Sequence, residues 1–147
     1  MARNVTEYQR NDTLGKSQLD LVIKVYDGTI DSLKKAKDSY ADNNIPKGYE
    51  ALQKAKKFLT HLYTTLDLEK GGIIAEQLSK LYVFILTQID VIEATKDLKK
   101  IDDNIKILNN LRSGWVGIKQ QGTEDKQTVQ AKEEPVIAGG RTFITSA

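Results

Sequence analysis

His61 is the single histidine in a chain of 147 residues, and no cysteine accompanies it. A lone exposed histidine on a helical bundle can carry a phosphoryl group. That chemistry needs a nearby lysine to attract the phosphoryl group and a glycine one turn on to leave room for it. The segment here is His61-Leu62-Tyr63-Thr64-Thr65, which has neither, and Thr65 would crowd the imidazole. A carboxylate-bridged metal pair needs Glu-x-x-His repeats on facing helices. Phe58 stands three residues before His61, and there is no second histidine. The lack of cysteine removes disulfides and thiolate ligands. Asp102 and Asp103 are adjacent, so on a helix they do not face each other. No Ser–His–Asp set, phosphate loop or dinucleotide fingerprint is readable. No enzyme, no metal and no cofactor are expected, and phosphotransfer through His61 is kept only as an alternative.

Charge narrows the partners. Lys and Arg number 22 against 20 Asp and Glu, a net charge of +2. That balance carries no electrostatic footprint for nucleic acid. The opening stretch Met1–Thr13 is polar and has no apolar core of a secretory signal, so a cytoplasmic location is expected.

With chemistry set aside, the elements are those of an all-α chain, since the 3.6-residue period recurs and strand alternation does not. Helix 1 is expected from Gln18 to Ala41 with Ser17 as N-cap, its stripe being Leu19, Val22, Tyr26, Ile30, Leu33 and Tyr40. Leu21 and Val25 widen its apolar arc on one flank and Ile23 on the other. Gly28 in the helix interior costs about 1 kcal/mol against Ala and implies close approach of another backbone. Helix 2 spans Pro46–Leu66, with Tyr49, Leu52, Ala55, Leu59, Leu62, Tyr63 and Leu66 inward. Its Lys54, Lys56 and Lys57 read as solvated charges. Asp67–Gly72 links to helix 3, whose stripe is Ile74, Leu78, Leu81, Tyr82, Ile85, Ile89 and Ile92. Asp97 caps helix 4, which runs to about Lys119 with Leu98, Ile101, Ile105, Leu108, Leu111, Trp115 and Ile118 inward. Gly114 and Gly117 should fray its last turns.

Short connections make this an antiparallel up-down four-helix bundle over residues 17–121. A flexible N-terminal arm, 1–16, carries Tyr8 and Leu14 as docking points. A disordered C-terminal tail, 122–147, contains the short apolar clusters Val136-Ile137 and Phe143-Ile144.

The functional signal is an excess of apolar residues. A bundle helix spends a stripe of about 100° on the core. Val83, Phe84 and Val91 fall outside the stripe of helix 3, as do Leu21 and Val25 on helix 1, with Ile107 at the edge on helix 4. Lys80, Gln88 and Asp90 interrupt the helix 3 run, so it is not a membrane span. Apolar surface left over after packing marks a protein-binding site. The alternative is burial of the same surface in a structural homo-oligomer, so monomer and weak homodimer both stay open.

Several stretches then read together: Tyr8-Gln9, Val25-Tyr26-Asp27-Gly28-Thr29-Ile30, Leu66-Asp67 before Gly71-Gly72, Leu81-Tyr82, and Leu111-Arg112-Ser113-Gly114-Trp115. In order and spacing this resembles the flagellar secretion chaperone family FliS, over about Tyr8 to Lys119. Departures are Gly15-Lys16-Ser17, where many members carry Ser-Pro or Asp-Pro, and Gly114 in place of a helix former. The resemblance implies a four-helix bundle that holds the C-terminal segment of flagellin in extended form, prevents its premature assembly and presents it to the flagellar export gate. It implies that the N-terminal arm covers part of the groove in the free state. On this reading Leu21, Val25, Val83, Phe84, Val91 and Ile107 are client contacts. Tyr26, Asp27 and Gly28 match the family motif, with core packing at least as strong a reading for Tyr26. The family is also linked to an anti-sigma factor, and whether one binds here is open.

Overall fold

A computed structural model describes the backbone of residues 2–131 and the side chains of residues 18–121. Four helices follow one another: α1 Ala2–Ala41, α2 Ile45–Thr64, α3 Leu68–Thr95 and α4 Leu98–Ala131. The chain divides into two compact units, Met1–Trp115 and Val116–Ala147.

Three short breaks separate the helices, and each has a local cause. Asn43 turns the chain at φ 62°, and the Asn44 side chain accepts from the Lys47 amide to cap α2, whose first turn contains Pro46. Asp67 caps α3 by accepting from the Lys70 amide at 3.0 Å. Lys96 takes the left-handed conformation that ends α3. Asp97 then accepts from the Lys99 and Lys100 amides, as its position before an apolar period predicts.

Side-chain pairs establish the antiparallel order. Phe58 packs on Gly28 and the Tyr40 ring covers Gly48, so α1 and α2 run oppositely. Gln53 donates to Glu93 at 2.7 Å and Lys56 pairs with Asp90 at 2.6 Å, which sets α2 against α3. Lys37 with Asp102, and Asp27 with Arg112, set α1 against α4. One core joins all four helices, through Tyr26, Ile30 and Leu33 of α1, Leu52 and Leu59 of α2, Tyr82, Ile85, Ile89 and Ile92 of α3, and Ile101 and Leu108 of α4.

The structure corrects several expectations. Ser17 is not an N-cap: α1 is continuous from Ala2, because no proline precedes Pro46 to break it. Helix 4 does not end near Lys119 but passes through Gly114 and Gly117 to Ala131, over a stretch rich in Gln and Lys, both good helix formers. Neither expected boundary, at 16–17 or at 121–122, coincides with a helix end. The expected link Asp67–Gly72 is largely the first turn of α3, and only Gly72 leaves helical geometry, at φ 57° and ψ −135°. That combination is open to glycine alone. Ile118 is exposed at 55 %, not inward. Tyr49 and Tyr63, placed on the inner stripe of α2, are exposed as well. The side chains of Tyr8 and Leu14 lie outside the described residues, as do Val136-Ile137 and Phe143-Ile144.

Candidate functional site

After the four helices have packed, apolar surface is concentrated on α3. Val83 and Phe84 are each 47 % exposed in the middle of the helix. Ile73 and Ile74, which follow the Gly72 break, are 73 % and 70 % exposed. Spacings of eleven and seven residues bring Ile73, Phe84 and Val91 onto one side of the helix. Val91 itself is half-buried. The middle of α3 therefore has neighbours on the core side only, and its outer side offers a row of apolar side chains to solvent.

The Gly72 break governs the lower end of this row. It lets the turn Leu68–Gly71 leave the axis of the following helix. Beside it lies a cavity of about 320 Å³, lined by Val22 of α1, Leu62 and Leu66, Ile74 and Tyr82 of α3, and Trp115 of α4. This cup sits where α2 ends and α3 begins, against the middle of α1 at Val22. Its lining is mainly apolar, with Thr65, Asp67 and Lys70 also on its wall.

Beneath the cup is the set of residues that carry the family motifs. The Tyr26 and Tyr82 hydroxyls share a buried hydrogen bond of 2.5 Å. The Tyr26 ring lies 6.3 Å from the Tyr82 ring and 6.5 Å from the indole of Trp115, both tilted. Burial holds both tyrosines above the usual phenol pKa. Asp27, one residue on, pairs with Arg112. Gly28 is bare because Phe58 occupies the space: a methyl group there would lie 2.8 Å from Phe58 Cζ. The three scattered motifs thus meet in one place, and their work is to close the bundle beneath the cup.

The profile of the family described as Flagellar protein FliS matches residues 1–122. The chain belongs to the FliS family. A flagellar secretion chaperone FliS from Vibrio cholerae serotype O1 is 35 % identical over 88 residues, covering 60 % of this chain and 65 % of that protein, just under two thirds of its length. FliS from Salmonella typhimurium is 28 % identical over 103 residues, 69 % of this chain and 76 % of the relative. FliSB from Pseudomonas aeruginosa is 26 % identical over 98 residues, 67 % and 78 %.

Within this FliS chain the expected contacts divide. Leu21 of α1 is 54 % exposed, beside Val83 and Phe84 among the solvent-facing residues. Val25 is corrected: it is 8 % exposed and belongs to the core, because α1 is covered at that level, one turn beyond Leu21. Ile107 packs half-buried against the same core. Tyr26 is fully buried, which is the packing role. His61 is exposed at the end of α2, and its carbonyl accepts from the Thr65 hydroxyl at 2.8 Å. Periodicity misses Ile73, Leu68 and the outward turn of Ile74. The signal is present in the spacing: Ala75, Leu78, Tyr82, Ile85, Ile89 and Ile92 alternate by three and four residues, so Ala75, not Ile74, continues the inward stripe.

Proposed function

We propose that this protein is a cytoplasmic export chaperone for flagellin. The apolar row on α3, with the cup at its end, holds the C-terminal polymerisation segment of the client. Covering that segment prevents premature assembly, and the complex then delivers it to the flagellar export gate. The exposed pair Val83 and Phe84, the latter in line with Ile73, is the single observation that carries this reading. Such a surface is costly to leave in water and suits a disordered guest, which gains burial along a long path and loses ordering entropy. Leu21, Val91 and Ile107 flank the client path. The first turns of α1, with Tyr8 and Leu14, compete with the client for the same apolar surface. Flagellin is released at the gate without nucleotide chemistry, since binding rests on burial alone.

Co-expression with flagellin tests this. A stoichiometric complex on sizing, lost when the flagellin C-terminal segment is deleted, is the expected outcome. Flagellin retained equally well without that segment would contradict it. Among the described residues no helix is long and apolar enough to cross a membrane.

A further inference from the structure

The other notable surface lies toward the opposite end of the bundle from the cup, along the seam of α1 and α2. An open trough of about 840 Å³ runs there, with Lys35 on one wall and Lys47, Lys54 and Lys57 on the other. Its floor includes Phe58 and its two carboxylates are Asp38 and Glu50. The trough carries four cations against two anions, as large an excess as the +2 of the whole chain. Ion pairs among the described residues engage Lys37, Lys56, Lys80, Lys99 and Arg112, and none of the four trough lysines. Lys56, next to two of them, is instead turned to Asp90, and that hydrogen bond raises its pKa above the usual lysine value.

The spacing says what would fit. Lys47, Lys54 and Lys57 lie seven and three residues apart, a row of about 15 Å on one side of α2. A row over an apolar floor does not converge on a single point, as a phosphate site would. Glu50 and Asp38 interrupt it, which disfavours a uniformly charged polyanion such as nucleic acid. We propose that the trough is a second docking surface, separate from the α3 row, that receives an acidic amphipathic helix of a partner protein. Its carboxylates meet the lysine row and its apolar side chains lie over Phe58.

The probe is a fluorescent synthetic helix of about 14 residues, built of Glu with Leu at every third or fourth position. Anisotropy titration against the full chain should show saturable binding. K54E/K57E should weaken it about tenfold, and so should raising salt from about 50 to about 300 mM. Both lysines are exposed on α2, so the double variant retains the fold, which circular dichroism checks. F84D, placed on the α3 row, should leave probe affinity unchanged, which separates this site from the client site. Equal affinity for wild type and K54E/K57E would overturn the proposal. So would competition of the probe by the flagellin segment, or tighter binding of a single-stranded oligonucleotide or anionic vesicles than of the probe.

Discussion

The hydroxyls of Tyr26 and Tyr82 meet at 2.5 Å in the closed interior, 56 residues apart in sequence. Through this contact the first helix is tied to the third, with Trp115 of the fourth against the Tyr26 ring. Replacing either tyrosine by Phe removes one hydroxyl and breaks the hydrogen bond between them. Y26F and Y82F should each lower unfolding free energy by about 1–2 kcal/mol. The double variant should lose less than the two together, because the shared hydrogen bond is already gone after the first change. Urea unfolding measures all three.

The same pair sets a pH limit. Burial raises both pKa values above the ordinary 10.0, so the folded state keeps protons that the unfolded chain releases. Their stabilising contribution is complete below pH 10 and declines as pH rises beyond it. Thermal melting between about pH 8 and about pH 11 should show a flat region followed by a fall. Y26F/Y82F should begin lower and fall less steeply.

Two glycines separate close packing from helix propensity. At Gly114 nothing lies within 4 Å of where a methyl group would stand, so G114A should stabilise α4 by up to about 1 kcal/mol. At Gly28 the methyl would press into the Phe58 ring, and overpacking of about 1–3 kcal/mol should outweigh the same helical gain. Opposite shifts in melting temperature are expected for the two substitutions.

Much of this architecture is legible in the residues themselves. Alternating turns of Leu, Ile and Tyr place the core, and Pro46 and Asp97 mark helix starts that the structure confirms. Gly28 announces a close neighbour, although that neighbour is the Phe58 side chain and not a backbone. Tertiary cover is what periodicity does not reveal. Val25 and Leu21 are equivalent flank residues in the pattern, four apart on one side of α1, yet Val25 is buried and Leu21 exposed, because periodicity gives the face of a helix and not how far along it the neighbouring cover reaches. The stripe of α3 from Leu78 to Ile92 is legible, and only its first member is misread: Ala75 continues the three-four alternation inward, and the larger Ile74 lies outside it. Ser17 and Lys119 do not bound helices, because capping chemistry and glycine content are weak signals beside an uninterrupted run without proline.

Removing residues 1–15 tests the competing role of the N-terminal turns. The truncated chain should bind the client segment more tightly, by about threefold to tenfold, or self-associate as bare apolar surface finds another copy. An unchanged isotherm together with an unchanged sedimentation profile would take those turns out of the mechanism.

The most direct measurement is titration calorimetry of the flagellin C-terminal segment against wild type, V83D and F84D at several temperatures. Burial of the α3 row predicts binding by wild type with a large negative heat-capacity change, and affinity reduced about tenfold or more in both variants while helicity is kept. Wild-type affinity in both variants, or a heat-capacity change near zero, would contradict it.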